Sequence, residues 1–222
     1  MSQVPPPVSL SRRFELANTA LTIAGRTYDL LRPKNIDDLI SEEDFDLDER
    51  IPYWADCWPS SRVLAERLLR EPGQNRRLLE LGCGIGLVSL AAAQAGFDVL
   101  ATDYYADALE FTSANAMRHA LGRVDTRLVD WRKMPRDLGR FHVVAASDVL
   151  YERPQAALVA AALAQTLVAD GLGLVTDPGR RTSGSFIDEC AKLELKAERV
   201  AKIPAEDTRA RLTVSVFEVR RS

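Results

Sequence analysis

The stretch "LELGCGIGL", residues 79–87, decides the fold. A leucine-rich run ends in three glycines, Gly82, Gly84 and Gly86, with an acid, Glu80, two positions ahead of the first. Directly behind comes "LVSLAAAQAG", whose small apolar residues favour a helix. A buried strand, a glycine turn and a helix in that order predict the first unit of a parallel α/β sheet, with a nucleotide-like ligand held at the turn. By itself the turn also reads as nothing more than a tight connection.

Outward from this unit, strands are expected near 77–82, 98–102, 126–130, 141–147, 171–176, 193–202 and 211–219. Helices are expected near 86–95, 105–119, 154–169 and 182–192, and "SRVLAERLLR" ahead of them has the apolar spacing of an amphipathic helix. Strands alternating with helices predict an α/β fold, a Rossmann-like doubly wound seven-stranded sheet. No helix pattern separates the last two strands, which therefore form an antiparallel hairpin on an otherwise parallel sheet. We divide the chain into an N-terminal extension, 1–50, and a main domain, 51–222. The extension opens on Pro5, Pro6 and Pro7, an extended lead-in over residues 1–9. Next, "FELANTALTIAGRTYDLL" alternates about Ala24-Gly25 as a β-hairpin, and "SEEDFDLDER" follows as a solvated acidic segment or a dock for a basic partner.

Composition excludes several classes. The 222 residues carry 29 basic and 32 acidic side chains, so no global field attracts nucleic acid or an anionic membrane. Apolar residues make up 46%, enough for a full core. Cys57, Cys83 and Cys190 include no CxxC pair, which argues against a disulfide framework or a structural metal. Neither a membrane span nor a signal peptide is visible, and the expectation is a cytoplasmic protein, monomeric by preference.

Which ligand the glycine loop holds depends on spacing. A dinucleotide fingerprint GxGxxG would need glycine at Leu87 or Ser89, so NAD is a distant reading. Acid-x-Gly-x-Gly-x-Gly instead resembles motif I of the seven-stranded S-adenosylmethionine-dependent methyltransferases. Such a cofactor has no pyrophosphate and calls for carboxylates. "DVLATD" brings Asp103 to the end of the second strand, where an ionised carboxylate can accept both ribose hydroxyls, although an acid there also serves as a helix cap. Tyr104 follows, placed to lie against the adenine. By resemblance, Asp130 and Trp131 of "LVDW" take the adenine amino group and one ring face.

Upstream lies "PYWADCWPSS", whose Trp54 and Trp58 read as core anchors or ligand contacts. Downstream, "FHVVAASDVLY" sets Asp148 and Tyr151 at Asp-x-x-Tyr spacing after a buried strand, hence at the sheet's carboxyl edge. Together with "LELGCGIG", these segments resemble the seven-stranded protein lysine methyltransferases grouped as methyltransferase family 16, over about residues 51–180. The resemblance implies that Trp58 and Ser147 border the cofactor and that Asp148 and Tyr151 form the methyl-acceptor site. "PYWADCWPSS" is also similar to the branch that methylates the electron transfer flavoprotein β-subunit. "DYYADALEFTSANA" departs from that branch, so its substrate is not carried over.

The expected activity is N-methylation of a protein side chain, lysine first. A small amine or heterocycle as acceptor, and a non-catalytic scaffold, are the competing readings. Asp148 could instead cap the helix that begins near Pro154. Pro178-Gly179 reads as a turn, after which Arg180 or Arg181 could meet a substrate carboxylate. His119 and His142 have no catalytic partner in sequence.

Overall fold

The computed structural model describes residues 5–35, 39, 53–180, 184–206 and 211–222. The acidic segment 42–49 and Arg181 lie outside them. Two sheets are present among the described residues. β1 (Leu16–Ile23) and β2 (Arg26–Pro33) pair antiparallel around Ala24 and Gly25, both at positive φ, as the hairpin expectation required. The second sheet has seven strands in the order β5-β4-β3-β6-β7-β9-β8. Its members are β3 (Arg77–Leu81), β4 (Asp98–Asp103), β5 (Val124–Leu128), β6 (Phe141–Ser147), β7 (Leu167–Asp177), β8 (Leu195–Glu206) and β9 (Arg211–Arg221). All neighbours from β5 to β7 run parallel, whereas β9 is antiparallel to both β7 and β8.

β3 and β6 are the central pair, and buried apolar side chains on both faces explain their near-continuous Leu and Val/Ala runs. Chain order reverses on either side of this pair, so the loops beyond their carboxyl ends diverge and leave a crevice. Among the described residues five helices cover the sheet: α2 (Pro59–Leu68), α3 (Leu87–Gln94), α4 (Ala106–Arg118), α5 (Arg153–Thr166) and α6 (Gly184–Ala191). On one face Val159, Leu163 and Phe186 close over Phe141, Val144 and Phe217. The other face joins α3 and α4 to the N-terminal hairpin through Leu90, Phe111, Tyr28 and Leu30.

Several boundaries differ from expectation, two of them by a change of element. Residues 8 and 9 do not extend the proline lead-in. Val8–Arg13 is a short helix, α1, because Leu10 buries completely under the hairpin and Arg13 pairs with Asp107 and Glu110 of α4, each at 2.6 Å. The helix expected to reach residue 169 stops at Thr166, and β7 starts at Leu167, with a bulge between its pairing at Leu167 and at Leu172. Alanine-rich composition carried the helix pattern past the point where Leu167 pairs with Phe141. Lead-in and hairpin are not a loose appendage. Asn115 of α4 accepts from Leu31 N at 2.7 Å and donates to Leu31 O at 3.0 Å and Ile85 O at 2.9 Å, tying β2 to the glycine loop.

Candidate active site

A cleft of about 510 Å³ opens at the carboxyl ends of β3, β4 and β6. Its wall includes Trp58, Glu80, Gly82, Gly84, Asp103, Tyr104, Asp130, Trp131, Ser147, Asp148 and Tyr151. Of the residues assigned in sequence to the cofactor or the acceptor, Gly86 alone stays out of the wall. It opens α3 at φ 94°, and a Cβ there would stand 2.9 Å from Thr112 Oγ1, so α4 leaves no room for a side chain. Gly84 does reach the cleft, yet its closest neighbour is protein too: a Cβ would sit 2.8 Å from the Trp54 carbonyl oxygen. Much of the glycine spacing therefore serves close packing of the chain on itself.

Asp103 ends β4 with one carboxylate oxygen accepting from Gly84 N at 2.9 Å and the other from Tyr105 N at 3.0 Å. These bonds fix the carboxylate at the cleft and leave lone pairs on both oxygens. Burial pushes its pKa up, against the backbone N–H groups that hold it down. Glu80 is more deeply set, receives a hydrogen bond from the Ser89 hydroxyl, and is pushed by burial to about 8; nearby Asp103 adds to the rise and Ser89 opposes it. Two buried carboxyls in one cleft, both raised, are suited to a ligand that brings positive charge.

On the far side, Asp130 does not end a strand as expected, because β5 stops at Leu128. Its carboxylate instead caps the 3₁₀ turn Trp131–Lys133 by accepting from Arg132 N, and pairs with Arg132 Nε at 2.9 Å, which holds its pKa down. It reaches the cleft as an acceptor already shared. Trp131 lies against Gly82, 3.5 Å from where a Cβ would be, and its indole N–H is buried with no acceptor. Tyr104 is 40% exposed and carries the Arg132 guanidinium 5.1 Å from its ring centre.

The third wall is aromatic. Trp54 is a core anchor, packed on Phe111 and Tyr105, whereas Trp58 faces the cleft at the start of α2 and donates from Nε1 to Tyr53 O at 2.8 Å. The Tyr53 ring stands between Trp58 and Tyr151, with centres 5.8 and 6.0 Å away. Sequence reading had passed over Tyr53, although it sits inside the quoted "PYWADCWPSS".

Asp148 follows β6 in the left-handed region, φ 61°, its N–H bonded to Thr176 O at 2.9 Å. It is not a helix cap, for α5 starts from Glu152 without a side-chain cap. Arg180 meets it instead: Nη1 lies 2.5 Å from Oδ1 and donates to the Asp148 carbonyl at 3.2 Å, and the guanidinium is 5.9 Å from the Tyr151 ring centre. The turn expected at Pro178-Gly179 exists. Buried Asp177 builds it by accepting from Gly179 N and Arg180 N, both at 2.8 Å. Burial raises the Asp148 pKa, Arg180 and Ser60 counter the rise, and Asp177 adds to it. Both histidines are structural: His119 bridges Asn115 O and Asp29 N, and His142 Nδ1 accepts from Arg77 N.

Residues 78–171 match the family described as a methyltransferase domain. That match spans the glycine loop and the strands and helices from β3 to the start of β7. The sheet order and glycine loop agree with the seven-stranded class named on the motifs. The chain is 32% identical over 133 residues to the electron transfer flavoprotein beta subunit lysine methyltransferase of Xenopus laevis, covering 58% of this chain and 53% of that one. It is also 35% identical over 122 residues to the nocamycin O-methyltransferase of Saccharothrix syringae, covering 53% and 44%. The chain thus spans about half the length of these relatives. In fold it resembles the solved structure of SMU.776 complexed with SAH, with a TM-score of 0.65 at 11% identity over 91% of this chain and 55% of that one.

Proposed function

We propose that the protein is an S-adenosylmethionine-dependent N-methyltransferase whose acceptor is a lysine side chain of a protein. The observation that carries the reading is the meeting, in one cleft, of a nucleoside-sized carboxylate wall with an acid and aromatic corner. Asp103, fixed by two backbone N–H groups and still rich in lone pairs, suits a ribose diol. The orphaned Trp131 N–H and the raised acids at 80 and 103 suit a polar, cationic ligand rather than an anionic dinucleotide. When bound, the cofactor supplies an electrophilic methyl group on a sulfonium.

What the protein must do is deliver a neutral amine in line. At pH 7 removing the proton from a lysine of pKa about 10.4 costs roughly 4.6 kcal/mol. Asp148 attracts and orients the ammonium but raises its pKa, so it is not a simple base. Tyr53, Trp58 and Tyr151 desolvate the amine and lower its pKa, and the proton leaves to water. Trp58 and its neighbours also offer π-faces to positive charge, an effect of about 0.5–2 kcal/mol.

A small-molecule acceptor is the second reading, supported by the likeness to the nocamycin O-methyltransferase. The rings around the carboxylate favour an acceptor that arrives as a cation, an ammonium rather than an alcohol. Calorimetric titration with S-adenosylmethionine should show binding, and Asp148→Asn should keep that affinity while turnover on a host extract with labelled cofactor falls by about 100-fold or more. Label in small molecules and none in protein would favour the second reading. Equal loss of binding and turnover would make Asp148 structural.

A further inference from the structure

We propose that Arg180 is an internal occupant of the methyl-acceptor site, a cation held where the substrate's ammonium must sit, so that acceptor binding is a displacement. The inference rests on the amine-acceptor reading of the aromatic corner and adds a residue that competes with the substrate there.

Four observations converge. The corner is built for a cation, with one buried carboxylate and the rings of Tyr53, Trp58 and Tyr151 around it. It already holds one: Arg180 contacts Asp148 Oδ1 at 2.5 Å and lies 5.9 Å from the centre of the Tyr151 ring. In this arrangement both carboxylate oxygens of Asp148 are shut off from solvent, and Arg180 occupies the side of Oδ1. Finally, the Arg180 side chain reaches the corner from a fixed backbone. Asp177 fixes the N–H groups of Gly179 and Arg180, whereas the Arg180 side chain is 32% exposed against 6% for Asp148. A side chain rooted on a fixed turn can swing outward by rotamer changes alone, with no movement of the sheet edge.

Displacement has a consequence for selectivity. A neutral acceptor gives Asp148 no replacement charge, and ejecting Arg180 would leave a buried carboxylate unpaired. Only an acceptor that enters as a cation restores the pair. The ion pair therefore works as a filter for ammonium over hydroxyl or amide groups of similar size.

The test uses n-butylammonium, the head of a lysine side chain, titrated by NMR into the full-length, cofactor-free protein. Arg180→Gln should bind it about tenfold or more tightly than the wild type, the scale of one charge-assisted contact no longer displaced. Arg180→Lys, which keeps the charge, should stay near the wild type. Adding Asp148→Asn to Arg180→Gln should abolish the gain. Without amine, the Asp148 carboxyl should titrate at higher pH in Arg180→Gln than in the wild type, since the countering charge is gone. Equal affinity in wild type and Arg180→Gln, or a gain that survives Asp148→Asn, overturns the proposal. SAH binding in the same samples reports on the cofactor separately: SAH bound without Arg180-dependent amine binding defeats this inference alone, and the reverse defeats the methyltransferase reading alone.

Discussion

Gly84 stands under the carbonyl of Trp54 at φ 53°, and this contact closes the 3₁₀ turn Tyr53–Ala55 onto the glycine loop. A methyl group there would be 2.8 Å from that oxygen and would hold an L-residue in the left-handed region. Gly84→Ala should therefore lower stability by about 1–3 kcal/mol in urea denaturation. Because the displaced turn carries Tyr53, cofactor and acceptor binding should weaken together. A neutral result would mean that the turn yields freely and that the aromatic wall is not fixed from this side. The glycine motif was legible as a strand-to-helix turn. What the residues pressed against was not, since a pattern of glycines records the need for space without recording the neighbour. Tyr53 escaped for a related reason. An aromatic residue beside a tryptophan pair has an ordinary core explanation, and only the ring of Tyr151 across the cleft gives it another.

Among the elements, the N-terminal hairpin shows how an extension becomes part of the site's support. Asn115 satisfies both backbone groups of Leu31 and the carbonyl of Ile85, in a buried position between β2 and the glycine loop. Asn115→Leu would leave those three groups unpaired, and at about 1–3 kcal/mol for each buried orphan, partly relieved by water, a loss of about 3–5 kcal/mol is expected. Equilibrium unfolding measures it, and a loss below about 1 kcal/mol would show that the hairpin docks through apolar contacts alone. Most elements of the main domain could be placed from sequence within a few residues, because periodicity and breakers report local burial. Errors fell at α1, where a long-range contact of Leu10 recruits a segment that proline seemed to exclude, and at the α5–β7 junction, where strand pairing outcompetes alanine-rich helix propensity.

For the molecule as a whole, the cleft gathers three carboxyls whose pKa values are all raised by burial: Glu80, Asp103 and Asp148. Glu80 has the clearest consequence for stability. It titrates at about 8 when folded against an ordinary value of 4.5, so between those limits the folded state binds more protons than the unfolded state. Its contribution is complete below about pH 4.5 and is lost as pH rises toward 8, at up to about 1.4 kcal/mol per pH unit. Glu80→Gln keeps an acceptor for Ser89 without an ionisable group. Its melting temperature relative to the wild type should therefore climb between pH 5 and pH 9, and a difference flat across that range would refute the buried-acid assignment. The native fold keeps these acids in a costly setting at one sheet edge, the pattern expected where binding rather than stability has set the residue types.

The sequence by itself determined the order of strands and helices in the main domain, the antiparallel ending, and the sheet edge at which Glu80, Asp103, Asp130 and Asp148 stand. Those properties follow from hydrophobic period and local breakers, which act over a few residues. Only the tertiary structure decided that Gly86 faces Thr112 rather than the cleft, that Tyr53 and Tyr151 share a wall, and that Arg180 closes on Asp148. Such meetings depend on how the sheet order brings distant loops to one edge, and no spacing along the chain encodes which side chains will then touch.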